Sequence, residues 1–259
     1  MSEMGGKALI VKMMDRCNNG CRVCFERGRS YPKEQREIEL LLELGREQGA
    51  EQVTFTGREP TLHDSLPALV TAARELGYLV IQLVTNGRLM AYRDLARALV
   101  VAGVTEVLVP LWAPGADEHD EMTRVAGSFA QAVRGIRALS AVSRQEGAPA
   151  RAVAVTIGAP VTRANVGRLA EMVPLARRLE AVELSFVRQR DAVVPPPPLD
   201  EVREALLVAL EAARRLTLPI SLHGFEPFED SRLDDLRVEE AADFTLAPFL
   251  ISAEAEEEC

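Results

Sequence analysis

Apolar positions along the chain switch between two periods. Short runs dense in Val, Ile and Leu predict strands over 7–15 (KALIVKMMD), 51–57 (EQVTFTG), 78–87 (YLVIQLVTNG), 104–114 (VTEVLVPLWAP), 150–158 (ARAVAVTIG) and 181–189 (AVELSFVRQ), with a short last run at 218–225 (LPISLHGF). Between them, apolar residues recur at helical spacing and predict helices over 34–50, 65–77, 91–103, 128–144, 165–180 and 199–217. In the first of these the apolar stripe is Ile38, Leu41, Leu42 and Leu44. Ser65 is placed to cap the second helix, with Pro67 in its first turn, and Gly103 is placed to end the third.

Strand and helix alternate six times with short joins, which argues for a parallel sheet with right-handed crossovers. Such a sheet is either curled into a barrel or doubly wound. The Val, Leu and Ile content of the strands is that of a sheet covered on both faces. No shift in composition marks a second domain. The prolines of VVPPPPLD (193–200) read as a loop ahead of the last helix, with Pro198 near its start, in preference to a stiff linker. The expected organisation is one barrel domain over 1–225 and a C-terminal extension over 226–259 ending in a mobile acidic tail.

The chain has 259 residues, enough to bury a sizeable core, and a net charge of −9. Four glutamates of that charge stand in the terminal EAEEEC. Residues 16–36 are instead basic: Arg16, Arg22, Arg27, Arg29, Lys33 and Arg36. Aromatic residues are 5% of the chain, and an acidic protein with one local basic patch is not built for nucleic acid. The patch suits an anionic ligand or an acidic protein partner. The run Ala8–Val11 is too short for a secretory signal, and no stretch reaches the roughly 20 apolar residues of a membrane span. The expected location is cytoplasmic, where clustered cysteines bind metal or do redox chemistry more often than they form disulfides.

Three of the four cysteines, Cys17, Cys21 and Cys24, fall within eight positions in DRCNNGCRVCFERGR (15–29). Their spacing keeps them off one helix face, but a loop can bring them together, and Asn18, Asn19 and Gly20 tolerate the turns this needs. A structural zinc ion usually takes four protein ligands, and the nearest downstream histidine is His63. Three close thiolates with an open fourth position suit an iron–sulfur cube better, with one iron left for a ligand. A zinc loop and three unrelated thiols are the other readings.

C-x3-C-x2-C at the end of a first strand in an α/β chain of this length resembles the radical SAM superfamily. TGREP (56–60) ends the second strand where that family has a G-G-E-P-type motif: Gly57, Glu59 and Pro60 match it, and Arg58 replaces the second glycine. VTNG (84–87) ends the third strand, and HDEMTRVAGSF (119–129) resembles the family's HD…GSF connection. The likeness runs from about Lys7 to Phe225 and implies a partial (β/α)6 TIM-type barrel with its site at the C-terminal ends of the strands.

The resemblance implies a [4Fe–4S] cluster on Cys17, Cys21 and Cys24, with S-adenosylmethionine on the fourth iron, cleaved to a 5′-deoxyadenosyl radical that abstracts hydrogen from a substrate. Gly57, Glu59 and Pro60 would seat the methionine end, Glu59 by accepting from its ammonium group. Thr85 and Asn86 would shape the ribose and adenine side. Val23 stands where many members carry an aromatic against the adenine, and Phe25 follows the third cysteine instead. His119, Arg124, Arg188, Arg190 and His223 are secondary candidates for the pocket, and Cys259 reads as a free thiol on the tail. The basic patch would dock an acidic electron donor such as a flavodoxin or ferredoxin. The substrate reads as a peptide or protein, with or without a partner subunit. A small anionic metabolite is the alternative, and a non-enzymatic metal-binding or scaffold protein on a decayed barrel is the reading from another class.

Overall fold

In a computed structural model of the chain, the described residues are 7–24, 33–145, 152–189, 195–225, 233 and 237–239. They form eight parallel strands in sequence order: β1 (Lys7–Lys12), β2 (Ala50–Thr56), β3 (Val80–Val84), β4 (Glu106–Pro110), β5 (Ala154–Val161), β6 (Glu183–Arg188), β7 (Ile220–His223) and β8 (Arg237–Glu239). Helices α1 (Gln35–Glu47), α2 (Leu66–Glu75), α3 (Arg93–Ala102), α4 (Ala116–Thr123), α5 (Ser128–Ser143), α6 (Leu169–Arg178) and α7 (Leu199–Leu216) fill the crossovers. Among the described residues no ladder joins β8 back to β1, so the sheet is a partial barrel. It runs two strands beyond the six expected. β7 is the short last run seen in the sequence, and β8 lies inside the segment read as an extension.

Strand alternation sorts the side chains by face. On one face Leu9, Val11, Val53, Phe55, Ile81, Leu83, Val107, Val109, Ile157 and Phe186 are all buried in a single core with Ile38, Leu42, Leu69 and Leu99 of the helices. The register places Lys12, Thr54, Gln82, Glu106, Thr156 and Glu183 on the other, concave face, where most are only half-buried. There Thr54 donates to Gln82 Oε1 (3.1 Å), and Gln82 Nε2 donates to Glu106 Oε2 (3.3 Å). The expectation of a sheet covered on both faces is therefore corrected: helices cover one face, and the unclosed barrel leaves polar groups on the other.

Helix ends follow local chemistry with two differences. Gly103 ends α3 at φ 119°, a left-handed conformation that favours glycine. Ser65 occupies the cap position of α2, but its side chain makes no capping hydrogen bond. Between β4 and α5 a further helix, α4, forms from ADEHDEMT, a segment without an apolar period. Asp120 holds its end to the next helix by accepting from Gly127 N–H (2.5 Å), the Ser128 hydroxyl (2.8 Å) and Phe129 N–H (2.8 Å). Burial alone would raise the Asp120 carboxyl, but these three donors outweigh it and hold the group below its ordinary range.

Candidate active site

The cysteine loop leaves the C-terminal end of β1 and is held from beneath by the end of α4. Gly20 N–H donates to the Thr123 carbonyl (2.9 Å) and Arg22 N–H to the Met122 carbonyl (2.8 Å). Val23 is buried with Trp112 and Met122, and Cys21 packs against that small cluster. Val23 thus serves as an apolar anchor for the loop. Phe25, the other residue expected near the adenine, lies outside the described residues, as do Arg27, Arg29, Arg190 and Cys259.

Cys17, Cys21 and Cys24 are half-buried thiols that form no disulfide among the described residues. Cys17 Sγ accepts from Asn19 N–H (3.3 Å) and from Asn86 Nδ2 (3.7 Å). Burial pushes the Cys17 thiol up, as do the nearby Glu59 and Cys24, while the two hydrogen bonds oppose the shift. Among the described residues no group of three or more His, Cys, Asp or Glu side chains is gathered to hold a single metal ion. His63 is not a fourth ligand: its Nε2 meets the Lys33 carbonyl (3.1 Å) and its Nδ1 accepts from Ser65 N–H (3.2 Å). Three thiols in one loop, with N–H donors aimed at the Cys17 sulfur, fit an iron–sulfur cube, which spreads its thiolates over separate irons and gains from such donors.

The ends of β2 and β3 are tied together by one buried carboxylate. Glu59 is fully buried, and its Oε1 accepts from Thr61 N–H (3.1 Å), the Thr61 hydroxyl and the Thr85 hydroxyl (2.6 Å). Its Oε2 accepts from Asn86 N–H (2.8 Å). Burial raises the Glu59 carboxyl above its ordinary value, and these donors pull the other way. Pro60 is buried at the start of a short 3-10 turn, Pro60–Leu62, for which Glu59 is the cap. A contact to a ligand ammonium, the role read from the sequence, would add to bonds that already bind Glu59 to this chain.

Gly57 has an equally local cause. At φ 107°, a Cβ there would stand 2.9 Å from the Met14 carbonyl oxygen and 3.0 Å from the Met14 nitrogen. The glycine lets the chain after β2 pass against the chain after β1, where Arg58 N–H donates to the Met14 carbonyl (3.0 Å). Arg58 Nε is buried without a hydrogen-bond partner. Asn86 Nδ2 also donates to Asn18 Oδ1 (2.6 Å), so Glu59, Thr85, Asn86 and Cys17 form one connected group.

The secondary candidates divide. His119 is buried, its Nδ1 accepts from Trp112 N–H (3.2 Å), and its ring meets Phe129 edge-on at 5.4 Å. Burial lowers its pKa to about 4, so it is a neutral packing residue under the loop. Arg124 adopts a left-handed conformation (φ 56°) where α4 ends. Arg188 ends β6, and His223 ends β7 with Nε2 3.3 Å from the Ser221 hydroxyl. Of the basic patch, Arg22 pairs with Glu121 (2.8 Å), and Arg36 with Glu39 (3.3 Å) and Glu43 (3.7 Å). The sequence reading missed Arg88, whose Nη1 donates to the Asn18 carbonyl and to Asn19 Oδ1 (2.8 Å). Its position directly after VTNG was the available signal.

A partial barrel of parallel strands, with a three-cysteine loop after the first and a buried clasp across the next two, defines a cluster-binding α/β protein. The family model described as the radical SAM superfamily matches residues 11–173, more than half of the chain. The chain belongs to the radical SAM superfamily, enzymes that use a [4Fe–4S] cluster and S-adenosylmethionine. Among named relatives, a probable GTP 3′,8-cyclase of Saccharolobus solfataricus is 28% identical over 182 residues, 69% of this chain and 56% of the relative. The chain thus spans little more than half the length of that relative. Streptococcus suis SuiB bound to precursor peptide SuiA matches with a TM-score of 0.68 at 15% identity, over 90% of this chain and 56% of that one. anSMEcpe with bound AdoMet and Kp18Cys peptide matches with a TM-score of 0.64 at 16% identity, over 79% and 59%. At such identities these two likenesses concern the fold. No helix among the described residues is long and apolar enough to cross a membrane.

Proposed function

We propose that this chain is a radical SAM enzyme that holds its cluster on Cys17, Cys21 and Cys24 and acts on a peptide or protein received on the concave face. The observation that carries the first part is the cysteine loop. Three thiols that form no disulfide among the described residues stand in one segment that is fixed by backbone bonds to Met122 and Thr123 and by the side chains of Asn86 and Arg88. A cluster held on Cys17, Cys21 and Cys24 would supply the electron for reductive cleavage of S-adenosylmethionine, and with it radical chemistry at the substrate. The chain's own residues orient and enclose. Val23, Trp112 and Met122 make an apolar floor, and Glu59 keeps the ends of β2 and β3 in register.

The substrate class rests on the concave face. From β5 to β7 its register carries Thr156, Glu183, Ser185, Ser221 and His223, and no lysine or arginine. Ser185 Oγ is buried there with no hydrogen-bond partner. Such a surface suits a hydrogen-bonding, uncharged backbone better than a polyphosphate. Two fold neighbours crystallised with peptides point the same way. The relatives named as GTP cyclases favour the second reading, a small anionic metabolite. An acidic flavodoxin or ferredoxin would approach the basic segment at Arg16 and Lys33.

The test is anaerobic reconstitution followed by incubation with S-adenosylmethionine and dithionite. The expected result is 5′-deoxyadenosine, with a rate unchanged by added GTP. A GTP-dependent rise in rate overturns the peptide reading, and no 5′-deoxyadenosine under any condition overturns the enzyme reading.

A further inference from the structure

The segment between the first two cysteines is gripped by a residue outside every motif that marks the site. Arg88 is half-buried just beyond the end of β3. Besides the two Nη1 bonds to Asn18 and Asn19, its Nε donates to Gln131 Oε1 on α5 (2.6 Å), and its backbone N–H donates to Asn86 Oδ1 (3.0 Å). Every one of these acceptors is neutral, so among the described residues the guanidinium is hydrogen-bonded to dipoles and not to a carboxylate.

The aim of this side chain is built into the packing of α5. A Cβ on Gly135 would stand 2.0 Å from the Gly87 carbonyl oxygen, so the helix lies directly against the turn that carries Arg88. Gln131 sits one turn earlier on the same face, i and i+4 with Gly135. The same helix is capped by Asp120 of α4, and α4 ends in the two carbonyls that hold Gly20 and Arg22. The cysteine loop is therefore clamped on both sides, at 18–19 by Arg88 and at 20–22 by α4, and both clamps are referenced to α5.

We propose that Arg88 is a positioning residue for the iron–sulfur cluster, fixing the Cys17–Cys21 segment through its planar fork and bringing a positive charge, bonded only to neutral acceptors among the described residues, to the metal site. This rests on the cluster reading above. The fork reaches two acceptors on the loop and one on α5 at once, which a lysine ammonium on a flexible stem does not reproduce. A fixed cation close to a cluster favours its reduced, more negative state and so raises its midpoint potential.

The test compares wild type with Arg88→Gln, Arg88→Lys and Gln131→Leu after anaerobic reconstitution. Two quantities are read: the rate at which a chelator strips iron, and the midpoint potential from a dithionite titration followed by electron paramagnetic resonance. Arg88→Gln is expected to lose iron about 10-fold faster, as for other groups that orient metal ligands, and to shift the potential to a more negative value. Arg88→Lys is expected to strip faster at a potential near that of wild type. Gln131→Leu, which touches no cysteine contact, is also expected to strip faster. If Arg88→Gln keeps either the wild-type stripping rate or the wild-type potential, the proposal is wrong. Should Arg88→Gln not fold, a wild-type stripping rate in Gln131→Leu overturns it instead. Wild-type protein that takes up no cluster overturns the functional reading, and this inference with it.

Discussion

Replacing Glu59 by alanine removes the acceptor for four donors gathered around a fully buried carboxylate. Two of them, Thr61 N–H at 3.1 Å and Asn86 N–H at 2.8 Å, are backbone groups that cannot turn away. A buried donor left without a partner costs about 1–3 kcal/mol, so the two together cost about 2–6 kcal/mol. The hydroxyls of Thr61 and Thr85 can rotate to other acceptors and add less. Against this, the carboxylate itself is penalised by burial, as its raised pKa shows, and its removal returns part of the loss. The expected net effect is a loss of about 3 kcal/mol, a large share of the 5–15 kcal/mol that holds a typical domain. Urea unfolding of the cluster-free protein, followed by circular dichroism, reads it directly. Glu59→Gln keeps the shape but sets an amide donor against existing donors, and a loss of about 1–2 kcal/mol is expected. A change below about 0.5 kcal/mol in Glu59→Ala, with weakened binding of S-adenosylmethionine to the loaded protein, would refute the clasp and restore the ligand contact as the main role of Glu59.

Two further outcomes follow from the packing under the loop. His119 has a folded pKa of about 4 against an ordinary 6.5, so below pH 6.5 the unfolded chain binds a proton that the folded one refuses. Its contribution is full above pH 6.5 and is lost as the pH falls toward 4, by up to about 3 kcal/mol; denaturation at stepped pH should show this slope and His119→Gln should flatten it. Gly135→Ala places a methyl 2.0 Å from the Gly87 carbonyl oxygen and is expected to cost about 1–3 kcal/mol or more in a thermal or urea melt, whereas a neutral outcome would deny the close approach of α5 to the β3 turn.

What the sequence reveals and what it hides divide along contact distance. The alternation of strand and helix is a local signal, and β1 to β7 fall where the apolar runs predict them. The cysteine loop is contiguous, so its crowding is visible without a fold. α4 is not visible, because its stability comes from Asp120 reaching residues 127–129 and from burial of His119, not from an apolar stripe. Those contacts also give the HD…GSF likeness its physical content. The partners of Glu59 at Thr85 and Asn86 lie 26 and 27 residues away, and the grip of Arg88 on Asn18 spans 70. Only the fold brings such pairs together. The cost of burying Glu59, and hence its role as a clasp, could not be read from a turn that looks solvated in sequence.

The central claim is that Cys17, Cys21 and Cys24 together hold a four-iron cluster. The most direct measurement is iron and sulfide per chain after anaerobic reconstitution, in wild type and in single Cys→Ala variants at the three positions. The account predicts four irons and four sulfides with a brown chromophore in wild type, lost in each variant. One zinc per chain, or a wild-type cluster content in any of the three variants, would contradict it.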